Sequence, residues 1–383
     1  MSAILTLNAG SSSLKFAVYE SGAEPVLLAA GQVENLGPAA RLVLKSPDRH
    51  TTELGAADHA VALRAILKAV QPALGDRAVT GVGHRIVHGG TGFAEPLELT
   101  EDVLAQLRAL IPLAPLHQPH NLAAVTAAQE AFPDAVQVGC FDTAFHHGHP
   151  FVNDTFAIPR RFYDEGVRRY GFHGLSYDYL TSRLREDWPH LAAGRVVIAH
   201  LGNGASMCAI RNGRSVASTM GFTALDGLPM GTRSGQVDPG VLLYLMDQGM
   251  SAGEITTMLY KESGLKGLSG ISHDMRTLLS SDAPEAAQAV DYYVFRIRRE
   301  LGGLAAVLGG LDGLVFAGGI GENAAIIRAR VLEGMEFLGL GVNAPANDAN
   351  ETRIGAGRTP VLVIPTDEER VIARAVNQRV AAV

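Results

Sequence analysis

The sequence predicts an α/β fold built as two lobes of duplicated topology, on three observations. Apolar strand segments alternate with amphipathic helical segments along the chain. A strand, a Gly/Ser turn and a second strand open the chain and recur nearly two hundred residues later, too far apart for a solenoid repeat. Glycine supplies 43 of the 383 residues, well above the usual ~7%, without a collagen-like period, so it marks tight turns and close backbone approaches.

Residues 4–7 form a short apolar strand that runs into the small-residue turn 8–13. Leu14, Phe16 and Val18 then alternate with Lys15, Ala17 and Tyr19, which is strand periodicity, and Glu20-Ser21-Gly22 closes the strand. An amphipathic helix is expected over 57–70, a strand over 79–84, a helix over 118–131 and a buried strand over 136–141. The stretch 145–159, rich in His, Gly, Asn and Pro, reads as the connector between lobes. Strand 196–200 opens the second copy. It is followed by Leu201-Gly202-Asn203-Gly204-Ala205-Ser206, a strand over 207–210, a turn at Asn212-Gly213 and a strand over 215–219. Gly10 aligns with Gly204 and Ser12 with Ser206, although two ordinary glycine hairpins would give the same pattern. Residues 301–311 read as the end of a buried helix. Strand 314–317 meets Gly318-Gly319-Ile320-Gly321-Glu322-Asn323, with a helix starting near Asn323, and 368–380 is the last helix.

With 32 Lys+Arg against 39 Asp+Glu the net charge is -7, which argues against a nucleic-acid binder or an anionic-membrane binder. Two cysteines, Cys140 and Cys208, form neither a disulfide framework nor a zinc pattern, and point to a reduced, cytoplasmic setting. No basic-then-apolar leader opens the sequence, and the most apolar run falls well short of the ~20 residues that span a bilayer.

Three glycine segments present backbone N–H groups with little obstruction, a physical route to cradling phosphate oxygens. Lys15 adds charge to the first, and the second is flanked by His200 and contains Asn203. The third, 318–323, is neither a P-loop nor the dinucleotide fingerprint, because both spacings fail. Arg85 and Arg233 sit among small residues and are candidate anion clamps, with structural salt bridges as the alternative. Asp142, after strand 136–141, and Asp367-Glu368-Glu369, opening the last helix, either complement a helix dipole or hold Mg²⁺. His117 and His173 lie in loops where an imidazole can donate to developing charge or merely cap. His146, His147 and His149 tempt a transition-metal reading, but no metalloenzyme spacing completes it.

LNAGSSSLKF (7–16), HRIVHGG (84–90), LAPLHQP (113–119), FDTAFH (141–146), RRYGFHGLS (168–176), HLGNGAS (200–206), MGFTALDGLPMGTRSG (220–235), GGIGEN (318–323) and IPTDEE (364–369) together resemble the acetate kinases, within the actin-like superfamily. The resemblance covers essentially the whole chain. It implies two lobes of actin-like, ribonuclease H-like topology, 1–145 plus 368–383 and 146–367, with the active site in the inter-lobe cleft. It further implies a cytoplasmic homodimer that converts ATP and acetate to ADP and acetyl phosphate, and back, with Mg²⁺ (Mn²⁺ able to substitute). By the same resemblance Asn8 and Glu368 position the metal and Lys15 belongs to the first phosphate loop. His200, Leu201, Gly202, Asn203 and Gly204 make the second. Asp274, Met275 and Arg276, with Gly319, Ile320, Gly321, Glu322 and Asn323, hold the nucleoside. Arg85 and Arg233 act on substrate and transition state, Asp142 is the catalytic acid, and His117 and His173 flank the moving phosphoryl group. Val87, Leu116, Phe172 and Ala224 line the acyl pocket.

The sequence departs from the family pattern at Met275, where Phe is usual, at Asp367 in place of Asn, and at Ala224 in place of Pro. A propionate kinase of the same family is the alternative within this class. From other classes, the alternatives are a non-catalytic actin-like ATP switch and a metal hydrolase on the three histidines. A carboxylate substrate is already ionised, so Asp142 is expected to act electrostatically or through metal-bound water rather than as a simple base.

Overall fold

The computed structural model describes residues 2–10 and 12–381. The chain forms two compact units, Met1–Phe145 with Asp367–Val383, and His146–Thr366. The chain passes from one to the other at 145/146. His146, expected in a connector, is instead buried within the second unit.

The first unit holds β1 (Ser2–Ala9), β2 (Ser13–Glu20), β3 (Val26–Glu34), β4 (Gly37–Ser46), β5 (His50–Ala57), β6 (Ala78–Ile86), β7 (Leu97–Glu98) and β8 (Val136–Phe141), ordered β5-β4-β3-β2-β1-β6-β8-β7. β1 pairs antiparallel with β2 and parallel with β6, and β6 is parallel to β8. On one face the buried Leu5, Leu7, Phe16 and Val18 pack with Leu63, Ile66 and Val70 of helix His59–Leu74. That helix starts two residues later than the pattern suggests, because the Asp58 side chain accepts from Val61 N and caps it. Helix Glu368–Val380 lies against β6, β1 and β8. A Cβ on Gly81 or Gly83 would overlap Val376 or Ile372, so only glycine lets this helix seat.

The second unit holds β9 (Arg195–Leu201), β10 (Ala205–Arg211), β11 (Arg214–Ser218), β12 (Gly313–Ala317) and β13 (Val361–Val363), ordered β11-β10-β9-β12-β13. β9, β10 and β11 run antiparallel in turn, and β9, β12 and β13 are parallel. Five strands of the first sheet, β3-β2-β1-β6-β8, repeat this order and sense. The glycine turns at Gly10 and Gly204 therefore occupy equivalent β1–β2 and β9–β10 connections. The first sheet adds β4 and β5 at one edge and β7 at the other.

Two sequence-based boundaries move. The helix expected to run through 311 is Pro284–Leu308, stopped by Gly309 at φ 71°. The glycine segment 318–323 is itself a short helix, and a second, Ala325–Leu332, follows Asn323. Among the described residues no helix is long and apolar enough to cross a membrane.

Candidate active site

In the first unit three parallel strands deliver polar residues to one edge. Asn8 and Arg85 are the penultimate residues of β1 and β6, and Asp142 follows β8 directly. Arg85 donates from Nε and Nη2 to Asp142 at 2.9 and 2.6 Å, and from Nη1 to Asn8 Oδ1 at 3.2 Å. Glu368, the first residue of the last helix, brings Oε2 to 3.9 Å from the same Nη1. Asp142 is 1% exposed. Burial raises its carboxyl above the ordinary range, with Arg85 opposing and Glu368 adding to the rise. Burial likewise works against the Arg85 charge, but Asp142 and Glu368 outweigh it and raise the Arg85 pKa. The pair is ionised at neutral pH, because a guanidinium keeps its proton and both carboxylate oxygens accept from it. Glu369 is raised by burial and then by Glu368, with Lys15 opposing. Lys15 is exposed on β2, opposite Asn8.

Val87 is buried just beyond Arg85, and Leu116 and His117 are half-buried before helix Gln118–Ala131. Three residues that the sequence did not flag hold this segment. Asn121 accepts from Val87 N at 2.9 Å and donates to Ala9 O at 2.7 Å, which ties the end of β1 to the segment after β6. Gln118 accepts from His88 N and donates to His88 O, and Thr143 accepts from Gly89 N. Buried polar residues on an otherwise small-residue helix are the only sequence signal for Gln118 and Asn121.

In the second unit His200, next to last in β9, stands opposite Ser206 of β10. His173 stands at the N-cap of helix Gly174–Asp187 in a left-handed conformation, φ 58°. The two imidazoles stack with centroids 4.4 Å apart. A Cβ on Gly204 would lie 3.1 Å from His173 Nε2 and 3.0 Å from Arg233 Nη2, so His173 and Arg233 both press on the glycine loop, and a side chain at 204 would require them to give way. Arg233 Nη1 donates to Ala224 O at 2.7 Å. Phe172 is buried, and its carbonyl receives His146 Nε2 at 2.9 Å. Leu201 is buried in the sheet.

A cavity of about 800 Å³ adjoins this loop. Gly202, Asn203, Asp274, Met275, Arg276, Gly319, Ile320 and Asn323 line it, all expected from the sequence. His273, Leu279, Ile326 and Asp348 line it too and were not expected. Asp274 is held down at about 2 by Arg276, which donates at 2.6 Å. Gly321 and Glu322 support the wall from behind. Glu322 accepts from Gly318 N and Thr366 N, and the fully buried Arg328 donates to the carbonyls of Gly321 and Glu322 and to Asn347.

The histidine run is used structurally. His146 Nδ1 and His149 Nε2 both meet Ser215 Oγ, at 2.8 and 2.6 Å. Burial lowers their pKa values to about 3 and about 4.

The sequence profile of the Acetokinase family matches residues 3–374. The chain is similar to an acetate kinase of Methylocella silvestris, 59% identical over 97% of this chain and 96% of that one. It is 48% identical to an acetate kinase of Rhizobium meliloti over 98% and 97%. Among solved structures it is similar to Porphyromonas gingivalis acetate kinase, with TM-score 0.88 and 39% identity over 99% of both chains. A propionate kinase from Francisella tularensis matches with TM-score 0.93 and 35% identity, over 98% and 99%. These matches and the repeated strand order bear out the actin-like α/β fold class. The chain belongs to the acetokinase family.

Proposed function

We propose that this protein transfers the γ-phosphoryl group of ATP to the carboxylate of acetate, giving ADP and acetyl phosphate, and catalyses the reverse. The observation that carries the reading is the convergence of His173, His200 and Arg233 on the Gly202–Gly204 loop, beside a cavity large enough for a nucleoside. A glycine loop beside a guanidinium suits phosphate oxygens, and the cavity wall of Met275, Ile320, Leu279 and Ile326 suits a base.

Arg85 is the acyl-substrate arginine in this reading, with Val87, Leu116, Phe172 and Ala224 lining the methyl site, and His117 and Lys15 adding donors. Phosphoryl transfer between two anions needs positioning and charge neutralisation more than proton removal. Asp142 accordingly serves by holding Arg85 in register, since both of its oxygens already accept from that guanidinium.

The family implies a divalent metal. Asn8 and Glu368 supply oxygen donors on one edge of the first unit, a hard set that fits Mg²⁺, with Mn²⁺ able to substitute. When bound, the ion would neutralise phosphate charge. The protein is proposed to be a cytoplasmic homodimer. Helix Pro239–Asp247, which exposes Val241, Leu243, Tyr244 and Met246, is the apolar surface that favours self-association.

The test is ADP formation by the purified protein with ATP, Mg²⁺ and a series of short carboxylates. The reading expects ADP to appear only with a carboxylate and fastest with acetate. Equal ADP formation without any carboxylate would overturn it.

A further inference from the structure

Each of the two stacked histidines is backed by a chain of two hydroxyls. Behind His173 the chain runs from the Tyr177 hydroxyl to Ser206 Oγ at 2.6 Å, and from Ser206 Oγ to His173 Nδ1 at 2.8 Å. Behind His200, Thr366 Oγ1 donates to Ser176 Oγ at 2.8 Å, and Ser176 Oγ meets His200 Nδ1 at 2.8 Å. Ser176, Ser206 and Tyr177 are fully buried, so water does not compete for their protons, while Thr366 is half-buried.

The two hydroxyl chains favour one tautomer of each ring. A serine hydroxyl has one proton to give and lone pairs to receive another. Tyr177 is a phenol kept protonated by its burial, and it is the stronger donor of its pair. Where the outer hydroxyl donates into the serine oxygen and the serine passes its own proton to the imidazole, Nδ1 is the acceptor. A neutral imidazole that accepts at Nδ1 carries its hydrogen on Nε2. The Nε2 edges are the ones turned toward the glycine loop. A Cβ on Gly204 would lie 3.1 Å from His173 Nε2, and one on Gly202 would lie 3.8 Å from His200 Nε2.

We infer that Ser206 and Ser176, backed by Tyr177 and Thr366, are positioning residues that fix His173 and His200 as side-by-side Nε2–H donors to phosphoryl oxygens at the Gly202–Gly204 loop. The inference rests on the phosphoryl-transfer reading of that loop. Its physical logic is that two imidazolium rings stacked at 4.4 Å would repel, whereas two neutral rings with fixed tautomers donate to one anion together. The serines do for these rings what outer partners do for metal-bound histidines: they choose which nitrogen carries the hydrogen.

The experiment is ¹⁵N NMR of the histidine rings in the full chain, paired with steady-state kinetics. In the wild type both rings should show a pyridine-type Nδ1 and a pyrrole-type Nε2. Ser206→Ala should move the His173 signals toward a tautomer mixture and leave those of His200 in place. It should lower kcat about 10-fold, the lower end for loss of an outer-shell partner, with little change in either KM. Ser206→Thr, which keeps the hydroxyl, should restore the signals. Tyr177→Phe, which keeps the ring and the serine, should shift the His173 signals in the same direction and covers the case in which Ser206→Ala does not fold. A hydrogen on Nδ1 in the wild type overturns the inference, as do ring signals or kcat that stay unchanged in both Ser206→Ala and Tyr177→Phe. Expected ring signals in a wild type that makes no ADP with acetate would overturn the catalytic role and leave the tautomers as assigned.

Discussion

Arg85 and Asp142 form a two-point ion pair, Nε to Oδ1 at 2.9 Å and Nη2 to Oδ2 at 2.6 Å, with the carboxylate almost wholly buried. The guanidinium plane is thereby fixed, and its remaining nitrogen, Nη1, is left to Asn8 and Glu368. A carboxylate so engaged is a holder of the arginine and a poor base.

Asp142→Asn should therefore lower kcat by roughly 10²-fold, on the scale of losing one preorganised charge contact. Because no proton is being taken, the loss should be the same at neutral and mildly alkaline pH. Recovery of activity on raising pH alone would return a proton-transfer role to this residue. Steady-state kinetics across pH decides it.

Arg233 has two tasks, one nitrogen on Ala224 O and another at the glycine loop. Arg233→Ala should cut kcat by about 10³-fold, the scale of a lost transition-state arginine, and should also raise the KM for acetate because Ala224 loses its tether. Arg233→Lys should not rescue it, since an ammonium cannot serve both points of the fork. Near-normal turnover in either variant would remove Arg233 from the chemistry.

Glu368 and Asp367 can be separated. The cap of the last helix is the Asp367 side chain, which accepts from Arg370 N at 3.1 Å. Asp367→Ala should cost about 0.5–2 kcal/mol of stability, the ordinary worth of an N-cap. Glu368→Ala should leave thermal stability nearly unchanged and raise the Mg²⁺ concentration needed for half-maximal rate. A Glu368→Ala protein that loses stability and activity in parallel would make Glu368 structural.

Ala224 stands where the family pattern has proline, and the 2.7 Å bond from Arg233 to its carbonyl holds the backbone there. A pocket discriminates one methylene by about 1–3 kcal/mol. Acetate should be preferred, with propionate used within about tenfold in kcat/KM, the lower end of that range. Ala224→Pro should widen the preference. An unchanged acetate-to-propionate ratio in the variant would show that residue 224 does not set acyl size.

Stability should fall on acidification through buried histidines. Burial lowers His84 to about 4, although the contact with Gln137 opposes it, and lowers His149 to about 4. The unfolded chain takes up these protons near the ordinary histidine value of ~6.5 and the folded chain does not. Their stabilisation is complete above ~6.5 and is lost as pH falls toward about 4, at up to about 1.4 kcal/mol per group per pH unit. Tm measured over this window should drop, and His84→Gln should flatten the slope. A Tm independent of pH there would show that the groups titrate alike folded and unfolded.

What was legible in the sequence was local. The two strand–glycine–strand units stood out because period-two burial and small-residue turns are short-range patterns. Strands β3 to β5 were not read, since β3 opens with the exposed Val26 and Leu27 and β5 is mostly exposed, so neither gives a buried apolar run. The glycines of 318–323 argued for a turn, yet the segment is helical. Glu322 accepts from Gly318 N within the segment and from the distant Thr366 N, and Arg328 of the next helix gathers the carbonyls at its far end, contacts that override propensity. Gln118, Asn121 and Asp348 were invisible for a related reason, because their partners or the cavity they face come from distant parts of the chain.

The most direct test of the central claim is trapping with hydroxylamine, which converts an acyl phosphate to a coloured hydroxamate. Purified protein with ATP, Mg²⁺ and acetate should yield acetyl hydroxamate in step with ADP, one for one, and none when acetate is left out. ADP released without hydroxamate, at a rate indifferent to acetate, would contradict the account.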